Sequence, residues 1–513
     1  MALTATPKTA TAPLTARPTL PRSHTLLHAV TRARRSDAVL ATVIGGVAAA
    51  SSFAFSWNPS FWGDEAASVM SAQRPLPSLF SMLGNVDAVH GAYYLFVHFW
   101  IRAFGISELA VRAPSALAVG VAAAGIVVLA LRLSDRRTAV LAGLACAVLP
   151  RFTHMGAEAR SYAFSAAIAV WLTVVLVRLL TSRKTRWPAW AVYAVLLAAG
   201  TYVFLYSVLL VIAHGIFIAA VRPGRNLVRR WAAATGAGIL LALPIAVASI
   251  SERSQLAFLA NRHAVTAHRV LVTQWFGTTN LAIVCWALIL VALAVAVRHP
   301  GRPSSRLALL AALWLIVPTG LLLVANATVA PLYQGRYASF AAPAAAILVA
   351  LGVQGLVSRR VQLVAAALVI ALALPTWVAQ RGEFAKDRGS DWRQASAFIH
   401  DHASPGDGIY FDPSTKPSRR PRLALHVYPG DYAGLVDVAV KTPFDEHPGL
   451  WDIALPLADA SAAISTVDRL WVVDLHGSTA DTSTEQAAIL RADGFRLTDS
   501  TRLHRTTIYE YTR

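Results

Sequence analysis

The sequence predicts a polytopic α-helical membrane protein that ends in a soluble α/β domain, and three observations carry that prediction. About 56% of the 513 residues are hydrophobic and only 14% are charged, against roughly one quarter charged in ordinary globular chains. Apolar runs of about twenty residues, enough to cross a hydrocarbon core, recur between residues 38 and 378. Nineteen of the 27 acidic residues fall after residue 381, where the composition turns polar at once.

Spans are expected at 38–57, 111–131, 138–153, 162–180, 187–202, 203–221, 231–250, 280–297, 306–326, 338–358 and 361–378, about 11 transmembrane helices in all. Arg132/Arg136/Arg137, Arg178/Arg183/Lys184/Arg186, Arg222/Arg225/Arg229/Arg230, Arg298/Arg302/Arg306 and Arg359/Arg360 then share one side. Lys and Arg stay cytoplasmic in membrane proteins. Residues 1–37 therefore read as a disordered cytoplasmic tail followed by an uncleaved first span, because no apolar core precedes Leu40. Eleven crossings put residues 379–513 outside. The net charge of +19 fits contact with anionic lipid and no nucleic acid. Residues 91–106 are short and amphipathic, and are expected to lie in or dip into the outer interface.

The tail predicts alternating elements: a helix from Asp391, a turn at 405–407, strands at 408–411 and 470–475, a helix at 484–495 and a final hairpin. Cys146 and Cys285 lie in apolar runs and give neither a disulfide framework nor a metal motif. Walker, Rossmann, HExxH and serine-elbow signatures are absent, which argues against nucleotide hydrolysis within this chain.

The chemistry is sought at the outer end. Asp64, Glu65, Asp87, Glu108, Glu158 and Glu252 collect there. Charge is costly near lipid, so each should be exposed, paired or functional; loop exposure fits Glu108 and Glu252 best. The first outer loop, WNPSFWGDEAASVMSAQRP at 57–75, sets Asp64 beside Glu65. Neighbours on a helix do not share a face, so one carboxylate can enter a cavity while the other orients it. A carboxylate there suits a general base, or a divalent cation held against a phosphate. Gly63 permits close packing or an unusual backbone angle. His90, Tyr93 and Tyr94 open the interfacial segment and read either as sugar- and phosphate-binding groups or as interface anchors. His154, Glu158, Arg160 and Tyr162 collect between two spans, with Glu158–Arg160 open as a structural ion pair or Arg160 as a phosphate ligand. Arg336 and Tyr337 sit at the mouth of another span, at head-group depth. Arg262, His263, His268 and Arg269 break the charge pattern in the loop 251–275.

In order, GDEA at 63–66, HGAYYLFVHFWIRAFG at 90–105, ELAVRAPSAL at 108–117, EARSYAF at 158–164 and QGRYASF at 334–340 resemble the GT-C fold glycosyltransferases. The likeness is to the group of protein O-mannosyltransferases and lipid A aminoarabinose transferases, glycosyltransferase family 39-like. The resemblance implies transfer of a sugar from a polyprenyl-phosphate carrier to a hydroxyl on the outer side of the membrane, with inversion. It implies a catalytic role for Asp64, with Glu65 as helper or metal contact. It adds His90 as the family histidine, although HGA stands here where many members read HPP. Arg336, with Arg160 and Tyr337, is implied at the carrier phosphate. Tyr93, Tyr94, Glu158, His154 and Tyr162 are expected at the substrate or acceptor. A divalent cation (Mg²⁺, Mn²⁺ or Ca²⁺) stays open, with Asp64 as its ligand, as does a metal-free mechanism. The Ala-, Val- and Arg-rich composition predicts a high-GC bacterium, an actinobacterium; in such cells the resemblance implies mannose or arabinofuranose as the sugar and a cell-envelope acceptor, while the residues themselves carry no code for the sugar. Two other readings are a transporter or flippase of lipid-linked sugars, which would need polar or broken helices at the midplane, and a non-catalytic envelope assembly protein, in which Asp64 would be replaceable.

Overall fold

The computed structural model describes residues 23–182, 186–252, 265–475 and 482–513. Most of the tail assigned to 1–37, and Arg183, Lys184, Arg262 and His263, lie outside the described residues.

The apolar runs form helices. The first, α1 (Ser23–Phe53), leads into a long loop of three short helices, α2 (Gly63–Gln73), α3 (Leu76–Leu83) and α4 (Gly91–Phe104). The bundle continues with α5 (Glu108–Leu133), α6 (Arg136–Val148), α7 (Pro150–Gly156), α8 (Tyr162–Thr181), α9 (Trp187–Val203), α10 (Leu210–Val221), α11 (Arg225–Leu241) and α12 (Leu243–Ser251). It ends with α13 (Thr279–Arg298), α14 (Pro303–Thr328), α15 (Ala342–Gln354) and α16 (Arg359–Ala379). Among the described residues seven helices are long and apolar enough to cross a membrane, or nine if each of two bent pairs is one span. Two shorter apolar helices, Trp187–Val203 and Leu205–Val221, stand beside them. The chain is a multi-pass membrane protein.

Close packing replaces a hydrophobic driving force between helices in lipid. Gly45 of α1 and Gly120 of α5 face each other, and a Cβ on either would stand 2.7 Å from the other's carbonyl oxygen. Pro150 has no N–H to continue α6, so α7 departs at 59°. Beyond that break Arg151 donates to the Gln274 carbonyl at 2.5 Å and His154 stands beside Glu158. At about 1.5 Å per residue, the 14 residues of α4 span about 21 Å, short of a bilayer core. Its buried face is Tyr93, Tyr94, Val97, His98 and Ile101, and Phe96, Phe99 and Phe104 are exposed.

The polar tail folds as anticipated for its elements. Helix α17 (Trp392–His402) starts after Asp391 and is followed by strand β1 (Gly408–Phe411) and helix α18 (Leu423–Val427). Strands β2 (Val436–Asp437), β3 (Val440–Thr442) and β4 (Ile453–Ala454) follow, then α19 (Ser461–Ile464), β5 (Arg469–Leu475), α20 (Thr482–Ala492), β6 (Arg496–Arg502) and β7 (Thr506–Thr512). The main sheet has the order β2-β1-β5-β7-β6. Strand β1 runs parallel to β2 and β5, and β7 runs antiparallel to β5 and β6. Apolar side chains of this region share one cluster with the loop between α1 and α5, where Phe61, Val69 and Tyr94 join Trp392, Leu423 and Trp471.

Candidate active site

The loop between α1 and α5 is pinned by a buried ion pair. Arg112 of α5 donates through Nε and Nη2 to the two oxygens of Glu65, at 2.8 and 2.5 Å. Its Nη1 reaches the carbonyls of Ser56 and Pro59 at 2.6 and 2.7 Å. Glu65 Oε1 also accepts from Ala159 N at 2.9 Å. Both side chains are wholly buried. Glu65 therefore ties the start of α2 to α5 and to the 157–161 loop. Both oxygens of Glu65 are thereby engaged, one by Arg112 and Ala159 N and the other by Arg112.

Gly63 serves close packing. A Cβ there would stand 1.8 Å from the Ser418 carbonyl oxygen, so only glycine lets the 417–419 turn of the tail lie on the start of α2.

One residue on, Asp64 points the other way. Its carboxylate is about one-fifth exposed and bonds Arg336 Nη1. Arg336 Nε donates to Gln334 Oε1 at 2.6 Å, and its guanidinium lies 5.9 Å from the Trp62 ring centroid and 5.8 Å from that of Tyr162. Arg160 is the second cation. Its Nη1 donates to the Asp64 carbonyl (3.2 Å), Ser68 Oγ (3.4 Å) and Tyr94 Oη (3.3 Å), and its Nη2 to His90 Nε2 (3.0 Å). A guanidinium only donates, so His90 Nε2 is an acceptor and the ring is neutral. Burial, then the Arg160 and Arg336 charges, hold the His90 imidazole well below its ordinary pKa. His90 thus meets Asp64's neighbourhood through Arg160, with Nε2 already occupied. Tyr94 Oη donates to Asp87 Oδ2 at 2.7 Å; burial above all raises the Asp87 carboxyl, against the lowering pull of Arg160.

The Glu158–Arg160 ion pair left open by the sequence does not form. His154 Nδ1 stands 3.4 Å from Glu158 Oε2. Burial pushes the Glu158 carboxyl up, but His154, Lys386 and Arg336 outweigh it and hold the group below the usual carboxylate range. Lys386 enters from the tail, nearly buried, and donates to the Ala157 carbonyl at 2.8 Å. Nothing in its sequence surroundings marked it. Gln334, Trp62 and Ser68 were also missed, although Gln334 stands within the QGRY run.

Several expected groups stand elsewhere. Tyr93 is buried against Phe164, with ring centroids 5.6 Å apart, and Tyr94 is buried in the Arg160 network. Neither is exposed as an interface anchor would be; Phe96, Phe99 and Phe104 hold the exposed positions. Tyr337 packs at a tilt against Phe204 and Tyr206, with ring centroids 6.0 and 5.7 Å apart, and Phe204 in turn meets Tyr162. Glu108 and Glu252 are not loose loop charges. Glu108 accepts from Arg393 and Tyr428 of the tail, and Glu252 from Ala88 N at 3.0 Å.

A divalent cation takes several oxygen ligands, which one or two carboxylates can share with a substrate phosphate and water. Asp64 is bonded to a guanidinium, Glu65 is consumed by Arg112, and among the described residues no group of three or more His, Cys, Asp or Glu could hold a metal.

A family model for dolichyl-phosphate-mannose-protein mannosyltransferases matches residues 92–250. None of the curated proteins matches. Among solved structures, ArnT from Cupriavidus metallidurans, bound to undecaprenyl phosphate, superposes with a TM-score of 0.60 at 13% identity, over 91% of this chain and 97% of that one. Oligosaccharyltransferase AglB from Archaeoglobus fulgidus, in complex with an inhibitory peptide and a dolichol-phosphate, gives 0.50 at 11% identity over 91% and 74%. The arabinofuranosyltransferase AftD from Mycobacteria gives 0.50 at 17% over 93% of this chain and 40% of that one. The bundle and the folded tail together follow one architecture common to all three.

Proposed function

From the GT-C fold as premise, we propose that this chain is an inverting glycosyltransferase. It moves a sugar, mannose or arabinofuranose, from a polyprenyl-phosphate carrier to a hydroxyl of a cell-envelope glycan, lipid or protein. The observation that carries this reading is the meeting of Asp64, Arg336 and Arg160 where the first outer loop joins the bundle. A base and two planar cations are the groups that such a transfer needs. The acceptor oxygen bonds the anomeric carbon as the bond to the phosphate oxygen breaks. The proton goes to Asp64, and the electron pair leaves on the carrier phosphate. That phosphate needs charge stabilisation, which the Arg336 and Arg160 forks suit. Arg160 is oriented by His90 and Tyr94. Tyr162, with Tyr337 behind it, lines the carrier side, and Glu158 with His154 holds hydroxyls of the sugar or acceptor. No step is routed through a cation.

The same reading divides the chain into a cytoplasmic tail (1–37), a GT-C membrane domain (38–378) whose catalytic loop is 58–110, and an extracytoplasmic α/β domain (379–513). Counting both bent pairs and both shorter apolar helices as spans supports eleven crossings in a plasma membrane, with the active site outside.

The test is transfer by purified protein from radiolabelled polyprenyl-phosphate mannose or arabinofuranose to envelope fractions, with and without chelator. Asp64→Asn is expected to lower the rate about 100-fold or more while the protein stays folded. Undiminished transfer by Asp64→Asn removes Asp64 as the base, and loss with chelator restores a cation to the site.

A further inference from the structure

The base and the phosphate ligand of the proposed site are bonded to each other. We propose that this Asp64–Arg336 pair is a substrate-operated lock: Arg336 keeps the Asp64 carboxylate engaged until a carrier phosphate displaces it, so the donor binds before the acceptor is activated. The inference rests on the glycosyltransferase reading and adds an order of events to it.

Three features support the exchange. The pair is reachable, since each side chain keeps about one-fifth of its surface exposed; the Glu65–Arg112 pair beside it is sealed. Arg336 has its guanidinium placed by groups other than Asp64, namely Gln334 Oε1 and the Trp62 and Tyr162 rings. It can therefore change anions without losing its position. Arg160, in turn, is more than nine-tenths buried, and the groups it donates to are neutral: a carbonyl, two hydroxyls and the His90 ring. Its Nε makes no hydrogen bond. The site thus holds two guanidinium groups and one directly bonded carboxylate; Glu158 adds a second carboxylate near Arg336, and Lys386 beside Glu158 offsets it.

A phosphate offers a planar fork two oxygens where Asp64 receives a single Nη1 bond. Once Arg336 turns to the phosphate, Asp64 loses its counterion and gains an anionic neighbour. The freed carboxylate can then accept the proton of the incoming hydroxyl. Without donor, a hydroxyl that reaches Asp64 meets a carboxylate whose Oδ2 is bonded and whose charge is countered by Arg336.

The exchange makes a prediction opposite to that for an ordinary binding residue: removing the Asp64 charge should tighten the carrier. Wild type, Asp64→Asn, Arg336→Gln and the double variant are purified in detergent, checked by thermal unfolding, and titrated with a polyprenyl phosphate and with the uncharged polyprenol. Wild type is expected to prefer the phosphate. Asp64→Asn is expected to bind it about fivefold more tightly, the equivalent of one partly exposed ion pair. Arg336→Gln is expected to bind it about tenfold more weakly, and the gain from Asp64→Asn should vanish in the double variant. Arg336→Lys, which keeps the charge and loses the fork, replaces Arg336→Gln if the latter does not fold. Weaker or unchanged binding by Asp64→Asn overturns the lock while the carrier reading stands, as does a gain that persists without Arg336. Equal binding of phosphate and polyprenol by wild type overturns the carrier reading and the lock together.

Discussion

A helix turns about 100° per residue, and the neighbours Asp64 and Glu65 occupy opposite environments because of it. Glu65 is wholly buried and closed by Arg112; Asp64 is partly open and bonded to Arg336. Their substitutions should therefore fail differently. Breaking a buried pair leaves an uncompensated charge and costs about 3–5 kcal/mol, so Glu65→Gln is expected to lower the thermal midpoint in detergent markedly. Asp64→Asn removes a partly exposed pair worth about 1 kcal/mol or less, and should keep the midpoint near wild type while losing transfer. Fluorescence-monitored unfolding of both variants beside a transfer assay checks the contrast; equal destabilisation would contradict it.

At the scale of elements, short breaks and junctions place the polar groups. Pro150 bends α6 into α7, and the start of α2 accepts the tail's 417–419 turn only through Gly63. The sheet holds a titratable group of its own. Asp474 near the end of β5 is pushed up to about 7 by burial and by neighbouring Asp412. Unfolded, it releases its proton near pH 3.9. Between those values the folded chain binds the extra proton, so Asp474 lowers stability as pH rises from about 4 to 7. Asp474→Asn is expected to raise the thermal midpoint at pH 8 and to change it little at pH 5. A gain of the same size at both pH values would remove Asp474 as the cause.

Across the whole molecule, bundle and tail are joined by buried polar ties. Arg381 reaches the Ser51, Ser52 and Thr153 carbonyls, Lys386 the Ala157 carbonyl, and Arg393 the Glu108 carboxylate. Eleven crossings would put Arg360 and Lys416 on opposite sides of the membrane. Both are exposed, and the native Cys146 and Cys285 are buried. In intact cells an impermeant maleimide is expected to label Lys416→Cys, and to label Arg360→Cys only after permeabilisation. Labelling of both in intact cells contradicts the crossing number.

What the sequence determined by itself is what local composition and period encode. Twenty-residue apolar runs must be helical in lipid, because their backbone groups have no other partners there, and the helix, strand and hairpin patterns of the tail were readable from their turn residues. The order of GDEA, EARSYAF and QGRY also marks Asp64, Arg160 and Arg336 as candidate residues. Only the tertiary structure decided what each meets. That Asp64 bonds Arg336, 272 positions away, that Arg112 consumes Glu65, that Tyr93 and Tyr94 turn inward, and that Lys386 enters from the tail are results of helix packing. A chain written in one dimension has no term for the partner across a bundle, and in a low-dielectric interior that partner decides whether a charge is an anchor or a reagent.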